Sequence, residues 1–239
     1  MKQIQRLMVS ITALLLLAAT SATGSPAATA KDVVTVLEKG YVTLSDLHAE
    51  FSQKTTLASL NREERGSGEL FIKKAAGDAM FRFNYTKPRQ QIISNGKTVW
   101  YYLPDNKQVM ISNLSTLYEG GAGVALNYLT GMGHLSADFT SGFAEEGRDK
   151  KGNYVIDLIP RKKSPMMAKL RLTVSARVVE DFLDSGTIRE PFPVISSEVY
   201  DQLGNRTLIE FSRVRVNRGI GSDRFSFKVP AGVEVIKDR

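Results

Sequence analysis

The chain has no cysteine at all among its 239 residues. That excludes disulfide staples, thiol chemistry, iron–sulfur sites and lipid attachment to an N-terminal cysteine, so the fold must rest on its core alone. Histidine is nearly as scarce, with His48 and His134 in unrelated contexts and no Cys/His or His-x-x-x-His spacing. A zinc site would have to be assembled mostly from scattered carboxylates, and no metal site is expected. Neither a Gly-x-x-x-x-Gly-Lys-Ser/Thr loop nor a Gly-x-Ser-x-Gly elbow is present, and Gly131-Met132-Gly133 opens no βαβ unit. The acidic pairs Glu63/Glu64 and Glu145/Glu146 lie in turn-like stretches, where solvated charge is the ordinary explanation. No catalytic residue and no cofactor are therefore expected. After the first thirty residues no apolar run is long enough to cross a bilayer.

Those first thirty residues have a different character. Lys2 and Arg6 precede an apolar run from Leu7 to Ala19, and Ser25 to Ala30 is small and flexible. Residues 1–30 are read as a secretory signal peptide that is removed, with Ala28-Thr29-Ala30 or Ala22-Thr23-Gly24 before the cleavage point. Residues 31–239 then form a single domain, large enough for a substantial core. Export without cysteine fits a soluble, monomeric protein of the bacterial periplasm. The formal charge falls from +7 to +5 without Lys2 and Arg6. The remaining basic residues are spread out, with one cluster at Arg161-Lys162-Lys163, so a nucleic-acid partner is not expected.

The rest of the chain is dominated by short apolar runs. From Gly68 to Ile111 five of them alternate with turns at Lys87-Pro88, Asn95-Gly96 and Pro104-Asp105, the pattern of an antiparallel meander. Upstream, Val33, Val34, Leu37, Tyr41 and Leu44 share one side of a helix over residues 32–45, weakened in the middle by Gly40. A first strand over residues 46–58 follows, and Asn61 to Gly66 is read as a charged loop. Leu114 to Tyr118 and Val124 to Leu129 suggest short helices separated by Gly120, Gly121 and Gly123. Further strands are expected at 154–159, 169–174, 178–183, 197–203 and 225–229, and over 207–216 with a bulge between Phe211 and Val214. These elements predict one strongly curved antiparallel sheet, an unclosed barrel of about eleven strands. The N-terminal helix and the short mid-chain helices would lie over its concave face.

A family resemblance rests on the succession Phe51-Ser52-Gln53-Lys54, Gly68-Glu69-Leu70-Phe71-Ile72-Lys73-Lys74 and Phe81-Arg82-Phe83-Asn84-Tyr85. It continues through Pro88 to Tyr102, by way of Ser94-Asn95-Gly96-Lys97, and ends in Phe225-Ser226-Phe227-Lys228-Val229-Pro230-Ala231-Gly232-Val233-Glu234-Val235. In this order the segments resemble the periplasmic outer-membrane lipoprotein carrier family LolA. The resemblance implies an apolar concave face under a helical lid, and the binding of lipoprotein acyl chains there. It also implies collection from an inner-membrane ABC-type release complex and delivery to an outer-membrane lipoprotein receptor, with no covalent step.

Strand parity offers Phe81, Phe83, Ile92, Val99 and Tyr101 as cavity residues, and Phe81 and Phe83 match aromatic positions of the family. The lid would be supplied by Gly120, Gly121, Gly123, Val124, Leu126 and Leu129. Lys74 stands where the family's Lys-Arg-Pro motif places a lid-latching arginine, keeping the charge without the planar fork. The loop Ala75 to Ala79 reads as longer than the family's proline turn. Carriage or sensing of a free lipid or glycolipid, an envelope scaffold that binds proteins, and a lipid esterase are the alternative readings.

Overall fold

A computed structural model describes residues 28–75, 78–119, 128, 134–163 and 167–237. The described chain begins with α1 (Ala30–Thr43) and β1 (Asp46–Leu57). Five further strands follow as β2 (Arg62–Ala75), β3 (Asp78–Lys87), β4 (Gln90–Ser94), β5 (Thr98–Leu103) and β6 (Gln108–Asn113). The short helices α2 (Leu114–Glu119) and α3 (Leu135–Asp138) precede β7 (Phe139–Arg148), β8 (Tyr154–Pro160) and β9 (Lys169–Val174). The chain then forms α4 (Ala176–Ser185), β10 (Val194–Tyr200), β11 (Arg206–Val216) and β12 (Glu234–Lys237).

All twelve strands form one sheet, in the order β12-β6-β5-β4-β3-β2-β1-β11-β10-β9-β8-β7. The pairings are antiparallel except for β12, which runs parallel to β6. The expected meander is present as β2 to β6, and Asn95 makes its turn by accepting from the backbone N–H groups of Lys97 and Thr98 at 3.0 and 2.9 Å. The bulge expected in the long strand is also present. The register slips between His48 and Glu50, opposite Arg213 with φ of 50°.

The strongly curved barrel is not what the chain forms. β7 and β12 are separate free ends of an open sheet that is not strongly curled. Strong curling needs repeated bulges or glycine kinks. Among the described residues register shifts occur in four pairings, at His48/Glu50, Ser67/Gly68, Val194/Ser196 and Phe143/Arg148.

Other local expectations also change. Residues 178–183 are helical, not a strand. Val178, Val179 and Phe182 are buried at helical spacing, and Gly186 ends α4 in the left-handed conformation with φ of 68°. The charged stretch 62–66 is the start of β2, paired with β1, and Lys54 reaches Glu63 at 2.7 Å across the pair. Ala75 and Asp78 are cross-strand partners where β2 and β3 end and begin. Residues 139–148 form an edge strand where none was anticipated. Phe225 and Phe227 lie outside any strand.

α1 is a well-capped helix. The Thr29 hydroxyl accepts from the N–H of Asp32, and the Asp32 carboxylate accepts from the N–H of Thr29 at 2.8 Å. The Thr29 hydroxyl also donates to that carboxylate at 2.6 Å, and this bond first, then the backbone one, holds the Asp32 carboxyl below its usual range. Its apolar stripe, Val33, Val34, Leu37 and Tyr41, is buried in one continuous core with Leu47, Ala49, Leu70, Phe81, Ile156 and Phe211. Lys39 of α1 lies 4.8 Å from the Phe182 ring of α4, and Tyr41 meets Phe192 at 6.2 Å. α1 and α4 thus bury the apolar face that β1 and β7 to β11 would otherwise expose to water.

Candidate functional site

Opposite residues in an antiparallel pair share one face of a sheet, so the register defines rows across it. One row runs Ala49, Leu70, Phe83, Ile92, Tyr101, Met110. The parallel strand β12 extends it to Ile236. Every member is apolar or aromatic, and burial weakens along it. Leu70 is fully buried and Phe83 is 6% exposed, Ile92 and Tyr101 are half-buried, and Met110 and Ile236 reach 39% and 41%. The inner end belongs to the core beside α1, whereas the outer end presents a strip of apolar surface.

Aromatic side chains thicken the inner end. The Phe51 ring meets Phe83 at 5.5 Å and Tyr85 at 4.8 Å, both edge to face, and Phe81 meets Phe83 at 6.2 Å. Tyr85 donates its hydroxyl to Gln53 Oε1 at 2.7 Å, and Tyr101 donates to Gln90 Oε1 at 2.8 Å. Two glutamines therefore satisfy the polar tips without placing a charge on the row. Burial, followed by the nearby Tyr101, pushes the Tyr85 phenol up to about 12, and burial also raises Tyr101. Neither phenol is activated as a base, and an acid–base pair is not formed here.

All five proposed cavity residues have a place in this arrangement. Phe83, Ile92 and Tyr101 are consecutive members of the row. Phe81 and Val99 occupy the neighbouring row through Ser94 and are buried in the core. Met110 and Ile236 were not identified from sequence; pairing β6 against β5 in register would have identified Met110 as opposite Tyr101. The lid positions Gly120, Gly121, Gly123, Val124, Leu126 and Leu129 lie outside the described residues. Tyr128 is described, and its ring packs edge to face on Phe139 at 4.6 Å.

Lys74 has a definite partner. Its Nζ donates to the backbone carbonyl of Tyr41 in the last turn of α1, while its backbone N–H donates to Ser45 O at 2.9 Å. Partial burial lowers its pKa from the ordinary lysine value. The cation lies where the helix dipole favours it. Among the described residues no group of three or more His, Cys, Asp or Glu side chains could hold a metal ion.

Comparison with known proteins relates the chain to lipoprotein carriers. Residues 42–184 match the family model for the outer membrane lipoprotein carrier protein LolA. The chain is 31% identical over 195 residues to an outer-membrane lipoprotein carrier protein of Azotobacter vinelandii, covering 80% of this chain and 82% of that one. A protein of the same description from Pseudomonas paraeruginosa is 30% identical over 195 residues, with coverage of 80% and 81%. The fold is similar to that of an uncharacterised conserved protein from Thermus thermophilus, with a TM-score of 0.51 at 12% identity, covering 87% of this chain and 99% of that one.

Proposed function

The chain belongs to the LolA family of outer-membrane lipoprotein carrier proteins, and on that premise we propose that it takes up the acyl chains of lipoproteins along the row from Phe83 to Ile236. As a carrier of that family it works in the periplasm and is not an enzyme.

The observation that carries the proposal is the outward gradient of the row, from buried Phe83 to the half-exposed Met110 and Ile236. An acyl chain needs apolar contact area more than directional bonds, and gains about 0.8 kcal/mol for each buried methylene. The outer strip would accept the first methylenes, and the aromatic inner end is continuous with it. Opening of the contacts around Phe83, or movement of the proposed lid at residues 120–129, would admit more. Transfer from an inner-membrane ABC-type release complex to an outer-membrane receptor follows from the same reading. Both steps move a greasy chain between apolar surfaces and require no chemistry from the carrier.

The cap of α1 bears on the exported form. Cleavage after Gly24 would keep Thr29 as the helix cap, whereas cleavage after Ala30 would remove it together with the first helical residue. The former is the proposed processing point.

Purification of the full-length gene product from the native periplasm, followed by mass spectrometry of bound lipids and acylated peptides, tests the function. Triacylated lipoprotein in near-stoichiometric amount is expected. Recovery of only a free glycolipid would transfer the reading to a lipid carrier on the same fold, and recovery of neither would favour a protein-binding scaffold.

A further inference from the structure

The face of the sheet turned away from α1 carries a second layer, formed by the chain that follows β11. Phe225 is fully buried there against Phe71 and Met80, with Ile220 packed on the same cluster. Phe227 continues the layer, 6.2 Å from Trp100 and 5.3 Å from Tyr102, before β12 joins β6.

The beginning of this layer is fastened with unusual care. Asp46, only 4% exposed, accepts from the backbone N–H groups of Arg218 at 2.8 Å and Gly219 at 2.9 Å. The Asn217 side chain accepts from Ser45 N–H at 2.8 Å and donates to Thr43 O at 3.0 Å. Lys73 donates to Ile220 O, and Arg82 donates to Arg224 O at 3.0 Å. A buried carboxylate and two cations are thus committed to backbone atoms of one loop.

The fastened loop borders an open hollow of about 600 Å³, lined by its backbone at Gly219 to Gly221 and by His48, Phe71, Arg215, Arg218 and Arg224, whose three arginines are solvent-exposed. The Arg224 guanidinium lies 4.3 Å from the centre of the Phe71 ring, and the His48 ring stacks on Phe71 at 4.3 Å. Arg215 stands opposite His48 in the β1–β11 register. Among the described residues none of the three arginines has an ion-pair partner, whereas the nearby Arg213 is paired with Glu50 at 2.6 Å. The neighbouring acids are otherwise placed. Glu69 meets His48 at 3.0 Å, Asp46 serves the loop backbone, and Asp223 lies beside Gly221.

Three exposed guanidiniums without an ion-pair partner among the described residues thus line one hollow, two of them carried by the fastened loop. We propose that this hollow is a binding site for a phosphate ester. Guanidinium forks match tetrahedral oxyanions in a bidentate way, and several of them together suit a phosphate better than a single carboxylate. Phe71 and Ile220 supply an apolar wall for the ester's organic part, and Gly219 leaves the loop backbone open to close approach, whereas the Asp223 carboxylate already stands beside Gly221. The site lies on the opposite face from the acyl row, does not depend on the carrier reading, and can be filled while cargo is bound. The phosphate ester can come from a small soluble metabolite or from a phospholipid headgroup.

Two probes distinguish these sources with the processed full chain at low ionic strength. Glycerol 3-phosphate is titrated by calorimetry, and vesicles of phosphatidylcholine with one-fifth phosphatidylglycerol are tested by flotation. Binding of the first identifies a soluble ester, and binding of the second alone identifies a headgroup. In either case Arg215→Gln and Arg218→Gln are expected to weaken binding about tenfold each. Arg213→Gln, which removes the same charge outside the hollow, should change it less than about twofold. Absence of saturable binding to both probes overturns the proposal. So does an equal loss in all three variants, which would reflect net charge alone.

Discussion

Lys74 and Tyr41 are joined by a hydrogen bond from the lysine Nζ to the tyrosine backbone carbonyl, which ties the far end of β2 to the last turn of α1. The same carbonyl also accepts from Leu44 N–H at 3.3 Å, a longer and weaker contact. Lys74→Met should therefore destabilise the fold by about 2 kcal/mol, the usual range for a charged donor removed from a partly buried acceptor. Lys74→Arg should retain most of the stability. Urea unfolding midpoints check both, and a Lys74→Met loss below about 0.5 kcal/mol would mean that Leu44 alone satisfies the carbonyl.

The burial gradient along the proposed acyl row separates stability from binding. Phe83→Ala removes a buried ring that touches Phe51, Phe81 and Tyr85, and should cost about 3–5 kcal/mol. Ile92→Glu and Met110→Glu lie farther out, where the carboxylate can reach water, and should leave a folded protein. Their effect should appear in cargo, as a loss of copurified lipoprotein. A folded Met110→Glu variant with full cargo would remove the outer strip from the site.

Much of this row was legible in the sequence, because alternation within β3, β4 and β5 placed Phe83, Ile92 and Tyr101 on one face. What alternation could not give was depth. Phe81 and Phe83 share one parity and both lie in the core, whereas Ile92 and Tyr101 on the same face are only half-buried. The curvature was misjudged for a related reason. Strand order follows from turns such as Asn95-Gly96, whereas curling depends on bulges and on what the helices cover. The segment around Val178 was a wrong period assignment. A short apolar run suits either a strand or a helix, and the deciding signal was Phe182 four residues on, with Gly186 as the stop. The pocket of arginines was invisible because Arg215, Arg218 and Arg224 are brought to His48 only by the loop that Asp46 fastens.

Alkaline titration offers an independent reading of the aromatic inner end. The Tyr85 phenol titrates near about 12 in the folded chain against about 10 in an unfolded one. Below pH 10 both states keep the proton and the stabilisation is complete. Between these values the unfolded chain releases its proton first, so stability falls as pH rises, by up to about 1.4 kcal/mol per pH unit for this one group. Tyr85→Phe should flatten that part of the slope while costing about 1 kcal/mol at neutral pH, where Gln53 loses its donor. The remaining slope belongs to other phenols raised by burial, among them Tyr128 and Tyr200, both near 12. Denaturant midpoints between pH 8 and about 11.5 test this, and an unchanged slope in Tyr85→Phe would place the phenol in water.

Gly40 reverses an expectation drawn from helix propensity. In the interior of α1 a glycine costs about 1 kcal/mol relative to alanine, so Gly40→Ala would stabilise an isolated helix. In the folded chain Gly40 is buried, and a Cβ there would stand 2.5 Å from the carbonyl oxygen of Pro191 and 3.1 Å from its carbon. Those are backbone atoms, which cannot rotate aside as a side chain could. Either α1 lifts from the segment before β10 or that segment shifts, and both disturb the packing of Tyr41 against Phe192. Overpacking of this kind costs about 1–3 kcal/mol and outweighs the propensity gain. Gly40→Ala is therefore expected to lower the unfolding midpoint, with Gly40→Val lower still. A raised midpoint in the alanine variant would show that α1 can move off Pro191 freely, and that its seat on the sheet is softer than its buried stripe implies.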